Sequence, residues 1–385
     1  MSPTETQYFA LLRSALWETP VTIDGPIDWN ALMQLAQHQG NQALVGDVAS
    51  QMTGDNRPSE TMLGKMQVVM RNNLLCQMRL KQILESAVTL LRQHNINPVL
   101  LKGFSLAMLY PNPSLRQFGD VDLFVGLEDF HEACKLLRTL PGGYNWGEEE
   151  DSGKHYNIEF GNYPMEIHRV SADVVDPKEA AAYAIIEREG LFDNAQHVDY
   201  EGLEITIPSK EFMVFYTFFH AWEHFLTSGV GWRQISDVAM TLHTYHGQLD
   251  LNKLRQWLNA MHLMKPWKTF GFLMVDQLGL LEGEMPFYDA SCRRKAQRLY
   301  RNVMEVGNFS RNSRFKQHRP KNKLTRKFHA FVGIFVDFFY RARVFPSMAF
   351  RELLVSLRLG WNKCTRPPCH KLNKFSKKMN FFLAV

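Results

Sequence analysis

Hydrophobic positions follow a helical spacing along the first 95 residues of the chain. The segments YFALLRSALW and LLCQMRLKQILESAVTLLRQH place apolar side chains three and four residues apart, which is the period of one face of an α-helix. Pro20, Pro26 and the TGDNRP turn interrupt this pattern. The spacing therefore predicts an N-terminal helical region over residues 1–95.

Between residues 96 and 208 the pattern changes to short apolar runs that are typical of strands. PVLL is followed at once by KGFS, which indicates a strand, a tight turn and the start of a helix. DVDLFV is a second strand candidate, GLEDFHEACKLLRTL is an amphipathic helix, and HYNIEF and MEIHRV are two strands joined by a hairpin-like turn. This order predicts an α+β fold with a small mixed sheet at its core.

Helical spacing returns at residue 209 and continues to residue 310, and residues 311–385 are predicted to form a basic, mainly helical extension. The most apolar stretch of the chain, residues 328–340, is interrupted by His329 and Asp337. It is also shorter than the roughly 20 apolar residues that a membrane-spanning helix needs. We therefore expect no transmembrane helix.

Charge is distributed unevenly between the body of the chain and its C-terminal extension. Residues 311–385 carry 18 Lys and Arg against two acidic residues, whereas the rest of the chain carries 26 against 37. Such a basic block can follow an anionic partner, which can be a membrane surface, a nucleic acid or the acidic body of the same protein, or it can be a solvated face. The scattered cysteines and the N-terminal composition predict a cytoplasmic protein, with peripheral membrane association as an option.

Two carboxylates stand close together in the strand candidate RQFGDVDLF. Because side chains alternate along a strand, Asp120 and Asp122 point to one side and Val121 and Leu123 to the other. Two anions at this distance repel unless a cation lies between them, and Mg²⁺ is typically bound by one or two carboxylates plus substrate phosphates. Glu166 in MEIHRV supplies a third acid if its strand lies beside the first. The acids predict a site for Mg²⁺ or Mn²⁺, and the alternative is a solvated pair on an exposed edge.

The segment LLKGFS predicts a turn that can hold a phosphate group. A strand ends at Gly103 and a helix opens at Ser105, so backbone N–H groups and the helix dipole favour an anion there. Lys102 and Arg116 add positive charge nearby. On its own the segment can equally be a helix start capped by Ser105. Together with the acid cluster, the turn predicts two-metal phosphoryl or nucleotidyl transfer.

These segments in combination resemble a known group of enzymes. A strand, a Gly-x-Ser turn, a helix, an Asp-x-Asp strand and a later acid on a third strand resemble the DNA polymerase beta-like nucleotidyltransferase superfamily. More narrowly, LLKGFSLAMLY, LRQFGDVDLFV and MEIHR are similar to a group of uncharacterised bacterial nucleotidyltransferases, and FHAWEHF and GWRQISDVAM are similar to its helical region. The resemblance covers residues 30–280 and implies a nucleotidyltransferase core flanked by helical regions.

The resemblance assigns roles to the acids and to the turn. It implies that Asp120 and Asp122 hold the metals and that Glu166 assists the metal that activates the incoming hydroxyl. It also implies that Gly103 and Ser105 contact the triphosphate. Two differences from the wider superfamily are a phenylalanine directly after the glycine of the turn and a glutamate in place of an aspartate as the third acid.

Residues of the helical region are further candidates for nucleotide contacts. The resemblance places the helix of His220 and His224 beside the cleft, and the alternatives are a polar seam between helices and a zinc site with Glu223. Arg233 can reach a phosphate, although its spacing from Asp237 favours an ion pair on one helix face. The expected nucleotide-binding residues are Lys102, Gly103, Ser105, Arg116, His220, His224 and Arg233.

The sequence thus predicts an enzyme that moves a nucleoside monophosphate from a nucleoside triphosphate, such as ATP, to an acceptor and releases pyrophosphate. The acceptor can be a sugar, another small molecule, a protein side chain or an RNA end, and no motif distinguishes among them. One alternative is a catalytically silent protein of the same fold that docks on an anionic partner or a membrane surface through its basic tail. Another is a phosphohydrolase that uses the same metals.

Overall fold

The computed structural model describes residues 1–144, 154–308 and 322–365. The helices are α1 (Pro3–Trp17), α2 (Trp29–Gln39), α3 (Gln42–Ser50), α4 (Glu60–Gln93), α5 (Phe104–Ala107), α6 (Gly126–Leu137), α7 (Pro177–Arg188), α8 (Lys210–Thr227), α9 (Trp232–Thr244), α10 (Leu251–Ala260), α11 (Met264–Leu273), α12 (Arg293–Val306), α13 (Lys323–Ala342) and α14 (Pro346–Thr365). The strands are β1 (Val99–Leu100), β2 (Val121–Phe124), β3 (Gly143–Tyr144), β4 (His155–Phe160), β5 (Tyr163–His168), β6 (Gln196–Tyr200) and β7 (Leu203–Ile207).

Helix α4 connects the N-terminal helices to the sheet. It is 34 residues long and is capped at its N-terminus by Ser59, whose side chain accepts a hydrogen bond from the backbone N–H of Met62. Near the middle of the helix, the side-chain amide of Gln77 donates to the carbonyls of Pro113, Ser114 and Arg116. These bonds fix the segment that leads into β2.

Within the described residues the strands form a mixed, seven-stranded sheet in the order β3-β4-β5-β2-β1-β7-β6. β2 runs parallel to β5 and β1 runs parallel to β7, whereas the other neighbouring pairs are antiparallel. The predicted fold class, a mixed-sheet α+β core with flanking helices, is confirmed. The hairpin of β6 and β7 was missing from the predicted order, and it extends the sheet on the side of β1.

The register of the central strands decides which side chains share a face. Asp122 of β2 pairs with Glu166 of β5, and His155 of β4 pairs with His168 of β5. Paired residues on neighbouring strands point to the same face, and residues two apart on one strand do as well. These four polar side chains therefore lie on one face of the sheet.

Helix α8 forms the centre of the helical region that packs against the sheet. Its aromatic side chains are buried, among them Phe212, Phe215 and Phe218, so core packing accounts for the aromatic stripe of this segment. The aromatic ring of Phe218 packs edge-on against Trp267 of α11 at a centroid distance of 5.0 Å. Of the helices described here, none has the length and apolar content needed to cross a bilayer.

The predicted basic extension is described only in part, since residues 309–321 and 366–385 lie outside the described residues. The elbow between α13 and α14 is anchored by Phe345, which is buried and packs edge-on against Trp222 and Phe225 of α8. Arg351 of α14 donates to Glu179 of α7 at 3.0 Å. This part of the extension therefore contacts acidic residues of the same chain.

Candidate active site

Asp122 is at the centre of a charged cluster on the polar face of the sheet. Its side chain is fully buried, and its Oδ1 atom lies 3.1 Å from Lys102 Nζ and 3.1 Å from His168 Nε2. Its Oδ2 atom has no hydrogen-bond partner in the part of the chain that the structure describes. Because a buried carboxylate oxygen without a partner is unfavourable, this atom is suited to bind a cation.

Glu166 lies beside Asp122, as the parallel register of β2 and β5 requires. Its Oε2 atom is 3.4 Å from His168 Nε2 and 3.9 Å from His155 Nε2. Asp120, directly before β2, lines the same cavity as Asp122 and Glu166. The three acids that the sequence singled out are therefore brought together, with two imidazoles beside them.

The electrostatic environment separates the acids. Burial and the neighbouring Asp122 raise the pKa of Asp120 to about 6. Burial acts in the same direction on Asp122, but Lys102 and His168 outweigh it and hold the pKa of this carboxyl below its usual value. Burial also disfavours ionisation of Glu166, yet its hydrogen bond with His168 lowers the pKa overall.

The turn between β1 and α5 borders the cluster. Gly103 has φ 73° and ψ −109°, a conformation that favours glycine. A Cβ atom at this position would lie 3.3 Å from the ring of Phe118 and 3.4 Å from the carbonyl oxygen of Asp120. The glycine therefore lets the backbone of the turn approach the segment that carries the acids.

The cluster opens into a cavity of about 200 Å³ between the sheet and the helical region. Acidic, basic and imidazole side chains face it together with a few apolar ones. The lining residues are Lys102, Gly103, Leu106, Arg116, Phe118, Asp120, Asp122, Lys154, Glu166, Thr217, His220, His224, Arg233, Gln234 and Asp237. All the expected site residues except Ser105 are among them.

Comparison with protein-family models now gives a decisive match: the model described as uncharacterised nucleotidyltransferase matches residues 25–275. The chain belongs to this nucleotidyltransferase family. The resemblance noted in the sequence is confirmed, and family and fold together make nucleotidyl transfer the plausible class of reaction.

Two solved structures are similar to this chain at low sequence identity. One is an antigenic nucleotidyltransferase-like protein from Paracoccidioides brasiliensis, with 14% identity, a TM-score of 0.32, and coverage of 52% of this chain and 92% of that one. The other is JHP933 from Helicobacter pylori, with 11% identity, a TM-score of 0.31, and coverage of 59% and 96%. None of the curated proteins matches the chain.

Arg116 of the nucleotidyltransferase core forms a buried ion pair with Asp237 of α9. Its Nε and Nη2 atoms donate to the two carboxylate oxygens at 2.6 and 2.9 Å, and Nη1 donates to the carbonyl of Gly103 at 3.1 Å. Tyr110 donates to the same carboxylate at 2.7 Å. The expected pair between Arg233 and Asp237 is therefore wrong, because a guanidinium from the core occupies both oxygens.

Arg233 lines the same cavity. Its Nη1 atom donates to the carbonyl of Gln117 at 2.9 Å, and its Nε atom has no hydrogen-bond partner in the described parts of the chain. Burial and the nearby Arg116 lower the pKa of this guanidinium. A buried cation of this kind is suited to receive an anionic ligand.

His220 and His224 of α8 both line the cavity. Their rings are 4.4 Å apart and nearly perpendicular, and His220 Nε2 lies 3.3 Å from Lys102 Nζ. Burial and the Lys102 charge hold the pKa of His220 well below its usual value, and the same causes lower the pKa of His224 to about 3. Both imidazoles are therefore uncharged at neutral pH. Within the described residues, neither belongs to a group of three metal ligands.

Ser105 is placed away from the cavity. Its side chain is fully buried, and its hydroxyl has no hydrogen-bond partner in the described residues. Helix α5 has only four residues, and its second position points into the core. The contact between this hydroxyl and a triphosphate, which the resemblance implied, does not fit this placement.

His155 and His168 are site residues that the sequence reasoning missed. The signal for His168 was present, because it follows Glu166 by two positions on a strand and so shares its face. His155 could be found only from the hairpin register, which pairs it with His168. Sequence alternation alone therefore pointed to one of these two imidazoles.

Proposed function

We propose that this protein transfers a nucleoside monophosphate from a nucleoside triphosphate to an acceptor hydroxyl or phosphate and releases pyrophosphate. The proposal depends above all on one observation: Asp122 and Glu166 are paired in register on one face, and Asp122 Oδ2 is buried without a partner. The turn at Gly103 borders the same cavity, as the position of a triphosphate would require.

The donor set fits a divalent cation. Asp120, Asp122 and Glu166 offer carboxylate oxygens, which are the ligands that Mg²⁺ and Mn²⁺ prefer. Such ions, when bound, neutralise charge on the triphosphate and align the attacking oxygen. Burial, and after it the charge of Asp122, raises the pKa of Asp120, so a bound cation would favour the ionised form of this carboxyl.

Basic side chains supply the other half of the proposed site. Lys102 stays charged, because Asp122 and the other acids outweigh burial and raise its pKa. Arg233 directs a partly unpaired guanidinium at the cavity, and Lys154 lines it as well. We assign the phosphates of ATP or another nucleoside triphosphate to these cations and to the backbone of Gly103. In this proposal the uncharged His220 donates or accepts a hydrogen bond.

Arg116 has a positioning role in the proposal. Each of its guanidinium nitrogens already donates to an acceptor within the protein, so Arg116 does not offer a pair of unused N–H donors to a phosphate. By donating to the carbonyl of Gly103 it holds the turn in place. Its expected direct contact with the nucleotide is therefore replaced by an action through the turn.

Two competing functions make different use of the same cavity. A silent scaffold gains nothing from keeping three acids around an unpartnered carboxylate oxygen, since like charges this close are unfavourable. A phosphohydrolase would use the same acids but pass the phosphoryl group to water. The two enzymes therefore differ in the molecule that accepts the transferred group. It is water for the hydrolase, and for the transferase we take it to be a small molecule, a sugar or a protein.

The test is label transfer from α-phosphate-labelled nucleoside triphosphates, offered one at a time with Mg²⁺ or Mn²⁺ and a lysate of the source cell. We expect one class of molecule to become labelled while pyrophosphate is released. Asp122→Asn should reduce labelling by about 10²-fold or more, the size of effect seen when one transition-state contact is removed. Asp129→Asn, an exposed acid on α6, is the matched control and should label as the wild type does.

The readout separates the three functions. Release of inorganic phosphate without label transfer would establish the hydrolase. Absence of labelling with every nucleotide, or equal labelling by wild type and Asp122→Asn, would overturn the transferase in favour of the scaffold.

A further inference from the structure

Glu166 faces two imidazoles as well as the other acids. One ring nitrogen of His155, one ring nitrogen of His168 and a carboxylate oxygen of Glu166 all lie within 4.8 Å of one another. The group is built by the sheet itself, since β4 and β5 pair His155 with His168 and the strand period places Glu166 on the same face. The arrangement is therefore fixed by backbone hydrogen bonds rather than by a loop.

The separations are close to those of atoms that share one metal ion. Ligands bound at about 2.1 Å lie about 3.0 to 3.4 Å apart in octahedral or tetrahedral geometry. His168 and Glu166 are already 3.4 Å apart, and His155 and Glu166 are 3.9 Å apart. The ring nitrogens of His155 and His168 lie within 4.8 Å of one another, so binding of one ion requires His155, whose side chain is 28% exposed at the first position of its strand, to turn toward the other two ligands.

A second observation also points to a ligand. Asp122 lies on the other side of His168, with Oδ1 at 3.1 Å from the imidazole and a buried Oδ2 that has no partner in the described chain. This unpartnered oxygen lies in a fully buried side chain next to the histidine. The group is thus more than a chance cluster of polar residues at a surface.

We propose that His155, Glu166 and His168 form a site for a transition-metal dication, such as Mn²⁺, Co²⁺ or Zn²⁺, beside Asp120 and Asp122, with Glu166 as the ligand that this site shares with the acid cluster. Imidazole nitrogen suits these ions, whereas Mg²⁺ prefers oxygen ligands and retains water. The site thus gives the protein a preference that three carboxylates alone would not provide. The use of this ion in transfer rests on the proposed function, but its binding does not.

The affinity is expected to be moderate. Metal-bound histidines usually donate their second ring N–H to an acceptor, and such partners contribute about 10 to 100-fold to affinity or activity. Nδ1 of His168 has no such partner among the described residues. Binding also requires an unprotonated Nε2, so the ion displaces the proton that His168 shares with Asp122 and Glu166.

The experiment uses Co²⁺ alone as the probe, titrated into the full chain without nucleotide and followed by visible absorption. Hydrated Co²⁺ also absorbs in the visible region, so the change in the position and intensity of its band on binding to the protein reports the ligands and not catalysis. We expect a saturable band in the wild type that excess Zn²⁺ removes and the same excess of Mg²⁺ leaves in place. His155→Gln should weaken Co²⁺ binding about tenfold or more.

His131→Gln, an exposed histidine on α6, is the matched control and should bind Co²⁺ as the wild type does. Thermal unfolding of both variants checks that they fold. Absence of the band in the wild type, its removal by Mg²⁺ as readily as by Zn²⁺, or identical titrations of His155→Gln and His131→Gln would overturn the proposal. Label transfer with Mg²⁺ is measured separately, so failure of the proposed function leaves this result unaffected.

Discussion

Two buried aspartates line the same cavity but differ in how their oxygens are satisfied. Asp237 is 4% exposed, and both its oxygens accept hydrogen bonds from Arg116, with a further one from Tyr110. Asp122 is 0% exposed, and it shares one oxygen between Lys102 and His168 while the other has no described partner.

The comparison shows that burial alone does not mark a functional acid. Asp237 is held by a bidentate guanidinium, the pairing that best compensates for removing both charges from water. Asp122 lines the cavity, and one of its carboxylate oxygens has no hydrogen-bond partner among the described residues. The oxygen without a described partner, rather than the depth of the residue, therefore distinguishes Asp122, which we propose as a metal ligand, from Asp237.

Breaking the buried ion pair between Arg116 and Asp237 should have the largest effect on stability. Asp237→Asn leaves the Arg116 guanidinium buried without a counter-charge, so we expect the free energy of unfolding to fall by about 3–5 kcal/mol. Denaturant unfolding followed by circular dichroism measures this loss. A decrease below about 1 kcal/mol would mean that the pair resembles an exposed surface ion pair.

Substitution in the turn should have a smaller effect. Gly103→Ala places a Cβ at φ 73° and against the ring of Phe118, so we expect destabilisation of about 1–3 kcal/mol. Gly25→Ala is a matched control, because Gly25 has φ +76° and no atom within 4 Å of the added Cβ. If both variants lose the same stability, the close approach to Phe118 contributes nothing beyond the backbone angle.

Substitution of Asp122 should have the smallest effect on stability of the three. Asp122→Asn removes one of three neighbouring negative charges, while Lys102 loses a partner but is 18% exposed and faces the cavity. Because Lys102 and His168 hold the pKa of Asp122 below its usual value, the charge is favoured in the folded state, so the free energy of unfolding should fall by about 1–2 kcal/mol, less than in Asp237→Asn. Unfolding measured alongside Asp237→Asn provides the contrast, and an equal loss in both variants would remove the distinction between the two acids.

A third acid, Glu187, is half-buried and has hydrogen-bond donors but no ion-pair partner among the described residues. Glu187 accepts hydrogen bonds from the amide and hydroxyl of Ser171, and burial outweighs them and raises its pKa above the usual 4.5. The unfolded chain then ionises first, so the stability from this group is present below pH 4.5 and is lost as pH rises through the folded pKa. Glu187→Gln should flatten this part of the stability profile in pH-dependent denaturation, and identical slopes in both proteins would contradict the assignment.

The sequence carried the central part of the site, because strand alternation places Asp120, Asp122 and Glu166 on defined faces. The partner of Asp237 could not be predicted from the sequence. Spacing along α9 favoured Arg233, whereas the actual partner, Arg116, comes from a distant segment that only tertiary packing brings close. Spacing rules predict contacts between neighbours on one helix or strand. The buried ion pair instead joins Asp237 of α9 to Arg116 of the segment before β2.

The position of Ser105 was also beyond what a pattern could give. A Gly-x-Ser turn predicts a helix start, but the direction of the serine hydroxyl depends on how a single-turn helix rotates against the core. The β6–β7 hairpin was missed for a related reason, since β6 alternates partly exposed residues without a continuous apolar run. The position of β6 at the edge of the sheet follows from its pairing with β7, which in turn lies beside β1.

The side-chain amide of Gln77 has a consequence for how this protein could be divided. It holds three carbonyls of the segment that enters β2, and it does so from a helix that precedes the whole sheet in the chain. A shortened chain that begins at β1 would retain Asp120, Asp122 and Glu166. It would lack the hydrogen bonds from Gln77 that hold the segment leading into β2. Transplanting the sheet alone into another protein would therefore carry over the ligands without their alignment.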